Sequence, residues 1–199
     1  YCSAPLAVDP VIERMNTDKQ VYFVATANYK TLPSDGYVFC VGIVPEIEAY
    51  TFLSWVAEND WDYVANGPAR IGGVGWTDTY SPAFLSAAEE YCKAHPEQFE
   101  WVGTYLTNFS FVWDAEVEKL KDVDYIFPNS QLTTFVRQYR DAGGRGKFLL
   151  TDVNLAFMGL IDDADLWDEL DGSLGLRSSR WWNETGKYID LTKELLYQY

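Results

Sequence analysis

Residues 70–80 read Arg70-Ile71-Gly72-Gly73-Val74-Gly75-Trp76-Thr77-Asp78-Thr79-Tyr80, an apolar run that ends in polar residues. Two later apolar runs end in the same way, with Phe127-Pro128-Asn129-Ser130 and with Leu150-Thr151-Asp152. In an open parallel sheet the carboxyl ends of the strands border the crevice where ligands bind. The three polar tips therefore predict a small-molecule cleft at one edge of a sheet.

From Pro68 to the end, short apolar runs alternate with segments whose apolar residues recur at helical spacing. The predicted order is strand 70–76, helix 82–94, strand 100–106, helix 113–121, strand 124–127, helix 131–141, strand 147–150, a helical patch 155–160, strand 174–178 and helix 185–197. Strands that are short and nearly all apolar are typical of a parallel sheet covered by helices on both faces. The pattern predicts an α/β fold with a doubly wound parallel sheet.

The first 44 residues carry fewer elements. They predict a helix over 5–15 and strands over 21–25 and 36–41, and a further helix runs from 45 to 59. One helix and two strands are too little to close a separate core. We therefore expect this segment to be part of an incomplete lobe.

The chain is acidic, because 30 Asp and Glu residues against 15 Lys and Arg give its 199 residues a formal net charge of -15. Such a charge repels phosphate backbones and anionic lipids, which excludes nucleic acid as a partner. No apolar stretch approaches the roughly 18 to 20 residues of a membrane span, so we expect no direct membrane insertion of this segment. The chain opens on Tyr1 without Met, and we expect that a signal peptide was removed upstream.

The three cysteines, Cys2, Cys40 and Cys92, are an odd number with neither zinc-site nor redox-pair spacing. One interpretation is that all are inert buried thiols. The other is that Cys2 has lost a disulfide partner lying upstream. The sequence leaves both open.

Three patterns that could carry chemistry each lack a required part. Gly72-Gly73-Val74-Gly75 lies inside a predicted strand, and Asp78 stands where a dinucleotide-binding fingerprint needs Gly or Ala. His95, the only histidine, follows a helix in a polar connection. The acidic run 162–171 has Asp168 where a calcium-binding loop needs Gly. The sequence therefore predicts no cofactor, no metal site and no catalytic residue.

Asp152 directly follows the buried run Phe148-Leu149-Leu150. A carboxylate there must be solvated, paired or directed at a ligand, because a bare buried charge is costly. One interpretation gives it a ligand cation such as an α-ammonium group. The other makes it the cap of a helix that starts near Asn154, and both can hold together. Trp181-Trp182 is interpreted either as a cleft wall or as plain core.

Five stretches of the chain occur in one recognisable order. They are Cys2-Ser3 before a helix, Val24-Ala25-Thr26-Ala27-Asn28 followed by Leu32 and Gly36-Tyr37-Val38-Phe39, then Trp76-Thr77-Asp78-Thr79-Tyr80, then 109–125 with its Leu120-Lys121-x-x-Asp124 step, and 135–143. In this order the chain resembles the extracellular solute-binding proteins of ABC transporters in the leucine/isoleucine/valine-binding family. That family has the type I periplasmic-binding fold, in which two lobes close on one ligand.

The resemblance implies a set of ligand-binding residues. Ser3, Thr26 and Asn28 match the contacts that the first lobe makes with the ligand's carboxylate and ammonium groups. Tyr80 matches the aromatic residue of the cleft, and Asp152 matches the acidic residue that takes the ammonium of an amino acid. Where the family often has an aromatic residue after the strand at 124–127, this chain has Asn129-Ser130-Gln131, so that contact stays open.

The resemblance also implies an organisation and a function. Residues 1–44 would be part of lobe one, 45–182 would be lobe two, and 183–199 would begin the return crossing. The expected protein is no enzyme. It captures an amino acid or similar small carboxylate and delivers it to permease subunits, and it lies in the periplasm or outside the cell, with a lipid anchor left open.

Two alternatives stay open, a ligand-sensing domain of a signalling receptor and an α/β enzyme that uses Asp78 or Asp152 as acid, base or nucleophile.

The resemblance also bears on Cys2. In some family members a cysteine matching Cys2 pairs with one upstream.

Overall fold

The computed structural model of the chain describes residues 8–29, 32–129 and 132–198. In these ranges its strands form two parallel sheets, one of two strands and one of five. The helices are α1 Val8–Thr17, α2 Pro45–Asn59, α3 Tyr63–Asn66, α4 Tyr80–Ala94, α5 Asp114–Leu120, α6 Leu132–Asp141, α7 Asp152–Leu155, α8 Met158–Asp163 and α9 Lys187–Tyr197. The strands are β1 Tyr22–Thr26, β2 Val38–Ile43, β3 Ala69–Trp76, β4 Phe99–Thr107, β5 Tyr125–Asn129, β6 Lys147–Leu150 and β7 Leu174–Gly175.

The five-stranded sheet has the strand order β4-β3-β5-β6-β7. Side chains of successive strand residues point to opposite faces, and each face has its own core. Tyr125, Phe127 and Leu149 pack with α2 and α4 on one face. Ile126 and Phe148 pack with α5, α6 and α8 on the other. The predicted doubly wound α/β sheet is confirmed.

Two glycines of β3 bring helices close to the centre of this sheet. A Cβ atom on Gly73 would lie 2.3 Å from Leu85 Cδ2 of α4, and one on Gly72 would lie 2.6 Å from Leu120 Cδ2 of α5. Any larger residue would push these helices away. The glycine run therefore lies inside a strand, as the sequence predicted, and lets the two helices pack closely against the sheet.

The boundaries of several elements differ from the prediction for local reasons. Helix α4 begins two residues early, at Tyr80, because Asp78 accepts a hydrogen bond from the Ser81 backbone N–H at 2.6 Å. Strand β5 extends through Asn129, which pairs with Gly75 of β3. The helical patch after β6 is two short helices, α7 and α8, and β7 has two residues instead of five.

The two-stranded sheet of β1 and β2 has one covered face. Ile12 of α1 packs there with Val24, Ala27 and Val38. On the other side the tilted rings of Phe23 and Phe39 are in contact, with 5.7 Å between their centroids, and about half of each side chain is exposed. Among the described residues, the small sheet is thus packed on one face. The predicted start of α1 at Pro5 lies outside the described residues.

Candidate functional site

A cavity of about 450 Å³ lies at the carboxyl ends of β3, β5 and β6. We call it the main cavity. It is lined by Thr26, Trp76, Asp78, Tyr80, Ser81, Phe109, Asn129, Leu132, Thr151, Val153, Asn154, Phe157 and Leu160. Since Thr26 ends β1 of the small sheet, the main cavity lies between the two sheets. Its volume is in the range of small-molecule sites.

The floor of the main cavity is polar and buried. Ser81, Asn129, Thr151 and Asn154 are each at most 6% exposed. Both polar atoms of Asn154 have partners: its Oδ1 accepts from the backbone N–H and the hydroxyl of Thr151, and its Nδ2 donates to Pro128 O at 3.0 Å. Asn129 is different, because neither its Oδ1 nor its Nδ2 has a partner among the described residues.

The rim of the main cavity is apolar and open to water. Phe157 is 56% exposed, and Phe109, Val153 and Leu160 are also exposed. Behind them lies Trp76, whose ring centroid is 5.1 Å from that of Phe109 and whose Nε1 donates to Ser110 O at 2.9 Å. A ring or branched chain that entered here would bury this apolar surface, which favours binding.

Phe109 also has a backbone φ of 54°, in the left-handed region that bulky residues rarely adopt. Such conformations persist where the surrounding structure holds them, and they are often found at binding sites.

Asp78 is the charged residue among the described lining of the main cavity. Its Oδ1 accepts from the Ser81 N–H, and its Oδ2 accepts from the Ser81 hydroxyl at 3.1 Å. Burial raises the pKa of Asp78 above its usual value, against these hydrogen bonds. Since no described lining residue is basic, a ligand cation or hydrogen-bond donor is favoured near Asp78 over an anion.

Glu48 of α2 lies directly behind Tyr80 and is 6% exposed. Its Oε2 accepts from the Tyr80 hydroxyl at 2.5 Å, and its Oε1 accepts from the Asp152 backbone N–H at 2.8 Å. Burial is the main cause that raises the pKa of Glu48 to about 7. Burial likewise raises the pKa of Tyr80 well above its usual value, so the phenol stays protonated and donates to Glu48.

A second cavity of about 300 Å³ lies on the other side of Glu48, and we call it the side cavity. It is lined by Gly42, Ile43, Val44, Ile47, Glu48, Thr51, Asp152, Leu176, Arg177 and Ser178. The Asp152 carboxylate accepts from the Ser178 N–H at 3.2 Å and from its hydroxyl at 2.9 Å. Arg177 Nη2 donates to Glu184, while its Nη1 has no partner among the described residues.

The predicted site residues are thus divided. Thr26 and Tyr80 line the main cavity, whereas Asp152 lines the side cavity, and the two parts are joined through Glu48. Asn28 lines neither of these cavities. Ser3 lies outside the described residues. The sequence prediction did not include Glu48, Asp78 or Asn129 as ligand contacts.

Two further interpretations are decided by the structure. Asp152 does not cap α7, because Thr151 is the residue at the N-cap and Asp152 is the first helical residue. Trp181 and Trp182 are nearly half exposed and line neither cavity, so they are neither core nor wall of a described cavity.

Cys40 and Cys92 are free thiols, and burial raises the pKa of Cys92 to about 12, as expected of an inert thiol. Cys2 lies outside the described ranges.

No helix in 8–29, 32–129 or 132–198 has the length and hydropathy that a membrane span needs. In the same ranges no three His, Cys, Asp or Glu side chains are grouped so that they could hold a metal ion.

Solved structures with this fold cover nearly the whole chain. A substrate-binding periplasmic protein from Ralstonia solanacearum covers 95% of it at a TM-score of 0.69 and 21% identity. A branched-chain amino acid ABC transporter protein from Thermus thermophilus with bound valine covers 95% at 0.73 and 15%. A solute-binding protein from R. palustris in complex with 4-hydroxybenzoate covers 98% at 0.63 and 15%.

The chain spans 53%, 49% and 51% of these three structures, which is about half of each. No protein-family model and no curated protein matches the chain. The fold is therefore that of the type I periplasmic-binding proteins, and the five-stranded sheet with its helices corresponds to one lobe. This confirms the fold that the resemblance implied.

Proposed function

We propose that this chain is the greater part of the binding cleft of a solute receptor that serves an ABC transporter. It holds a small molecule and performs no chemistry on it. The observation that carries the proposal is the main cavity, in which a buried polar floor lies beneath an exposed apolar rim at the carboxyl ends of parallel strands. Such a site fits a ligand with a polar head and an apolar body.

The ligand class implied by the resemblance is an amino acid or a similar small carboxylate. The Thr26 hydroxyl and the Asn129 amide could donate to a carboxylate without bringing a competing charge. For the ammonium group the geometry favours Asp78, which lines the same cavity, over Asp152, which lines the side cavity. Similar structures bind valine and 4-hydroxybenzoate, which supports ligands of this size.

The mechanism would be closure of two lobes around the ligand. Thr26 comes from the small sheet and Asn129 from the large one, so a ligand that contacts both would favour the closed state. The closed complex would then be delivered to permease subunits, with the receptor in the periplasm or outside the cell.

Calorimetric titration of the purified full-length protein against amino acids and small carboxylates tests this function. We expect a single site with a dissociation constant in the micromolar range or below, and a decrease in the radius of gyration on binding. Binding no tighter than millimolar, together with turnover of any of these compounds, would contradict a receptor without catalytic activity.

A further inference from the structure

Asn129 is a buried amide that the described protein leaves unused. It is the last residue of β5 and is 6% exposed, yet its Oδ1 and Nδ2 have no partner among the described residues. Its backbone is engaged, because its carbonyl accepts from the Ser81 hydroxyl at 3.1 Å. The strand therefore needs the backbone of Asn129, and its side chain contributes nothing to the strand.

An unpaired buried amide is unfavourable for folding. Buried polar groups are nearly always hydrogen-bonded, and Asn is also depleted in β-strands. An apolar residue of the same size would make folding more favourable, since it would lose no hydrogen bonds to water on burial. The side chain lines the main cavity, where a bound molecule can supply what the protein does not.

The chemistry of an amide defines its partner. Oδ1 accepts one or two hydrogen bonds, and Nδ2 donates two. A ligand satisfies both atoms when it presents a donor and an acceptor side by side, as a carboxamide does and as the ammonium and carboxylate of an amino acid do. A carboxylate without a donor would leave Oδ1 unpaired, and no described lining residue would neutralise its charge.

We propose that Asn129 recognises the polar head of the ligand through hydrogen bonds to its side-chain amide. The ligand class is an apolar or aromatic body with a neighbouring donor and acceptor, and simple carboxylates are excluded. The aromatic pair Trp76 and Phe109 receives the body. This inference rests on the proposed function and narrows its ligand class.

Three compounds that share a phenyl group and differ in their polar head provide the test: L-phenylalanine, 3-phenylpropanamide and 3-phenylpropanoate. We expect calorimetry on the full-length protein to show at least one of the first two binding about tenfold or more tightly than the propanoate. Equal or tighter binding of the propanoate would overturn the inference and leave the receptor function intact. If another solute binds and none of these three compounds does, the inference is likewise overturned and the receptor function stays intact. If no amino acid, amide or carboxylate binds at all, the proposed function fails as well.

Two variants separate a ligand contact from a structural role. Asn129→Leu keeps the size and removes both hydrogen-bonding atoms, so we expect affinity for the tighter compound to fall about 30-fold or more. The melting temperature of the ligand-free protein should stay equal or rise, because no hydrogen bond within the described part of the chain is lost. Asn129→Asp removes the two donors and should weaken binding of 3-phenylpropanamide by a similar factor.

Asn154→Leu is the matched control, since both polar atoms of this similarly buried amide have partners, Thr151 for Oδ1 and Pro128 for Nδ2. Its melting temperature should fall by about 5 °C or more. Unchanged affinity in Asn129→Leu, or a loss of melting temperature as large as that of Asn154→Leu, would overturn the proposal.

Discussion

The two cavities on either side of Glu48 differ in the state of their polar groups. In the main cavity the Asn129 amide and the Thr26 hydroxyl are buried without partners among the described residues. In the side cavity each charged side chain has at least one partner, because Asp152 is bonded to Ser178 and Arg177 to Glu184. There the one buried atom without a partner among the described residues is Arg177 Nη1, whereas in the main cavity both polar atoms of the Asn129 side chain lack one.

This difference shows where a ligand would gain most. Unpaired buried groups are rare in folded proteins, and a ligand that pairs them removes an existing penalty. In the side cavity a ligand would first have to break bonds such as those between Asp152 and Ser178. The comparison therefore favours the main cavity as the ligand site and gives the side cavity a structural role.

The largest expected effect concerns Glu48, which lines the side cavity and accepts a hydrogen bond from Tyr80 of the main cavity. Its folded-state pKa of about 7 is higher than its usual 4.5, so the folded protein binds the proton more tightly than the unfolded chain. Its contribution to stability is therefore complete below pH 4.5 and is lost as the pH rises to about 7. We expect Glu48→Gln, relative to wild type, to gain about 3 kcal/mol in the free energy of unfolding between pH 4 and pH 8.

Denaturant unfolding of both proteins across this pH range measures the effect, and other titrating groups cancel in the difference. A difference that does not vary with pH would mean that Glu48 titrates near its usual value. The link between the two cavities would then be an ordinary ionised carboxylate.

Removal of the aromatic wall should have the next largest effect. Trp76→Ala takes away a ring that the ligand body would cover, worth about 3 kcal/mol, so affinity for the tighter of L-phenylalanine and 3-phenylpropanamide should fall about 100-fold. Trp181→Ala is the control because Trp181 lines neither cavity. Calorimetry on both variants tests whether the ligand contacts Trp76. Equal losses of affinity in the two variants would mean that the ligand binds elsewhere.

The same change made in each cavity tests the assignment of the ammonium group. Asp78→Asn should lower the affinity for L-phenylalanine about tenfold, because a charge-assisted hydrogen bond to the ammonium group becomes a neutral one. The Asn side chain can still accept the hydrogen bond from the Ser81 N–H. Asp152→Asn should change affinity less than about threefold. If the order of these two effects is reversed, Asp152 binds the ammonium group as the sequence resemblance implied.

A smaller loss than that of Asp78→Asn is expected at Thr26, which brings the small sheet into the main cavity. Thr26→Val removes a hydroxyl that has no partner in the described protein, so affinity should fall about fivefold with no loss of melting temperature. Calorimetry and thermal unfolding measure both. Unchanged affinity would show that the ligand contacts the large sheet alone.

Helix α2 shows where prediction from the sequence stops. Its bounds, 45–59, are confirmed. Its apolar residues, however, occur all around the helix, and two of them, Tyr50 and Trp55, are exposed. The buried face is the one with Glu48, Phe52 and Leu53, because it meets α4 and the sheet. The sequence signal for Glu48 was its place four residues before Phe52, on the same face.

The sequence by itself determined the α/β fold, its doubly wound sheet and the edge at which Tyr80, Asn129 and Asp152 lie. These follow from the spacing of apolar residues along each element, which is a local property. Only the tertiary structure decided which cavity each polar group faces. Glu48 meets Tyr80 across 32 residues and Asp152 across 104, and the Asp152 carboxylate turns to Ser178 because a later segment passes beside it. Such pairings depend on how distant segments cross, and no local period encodes them.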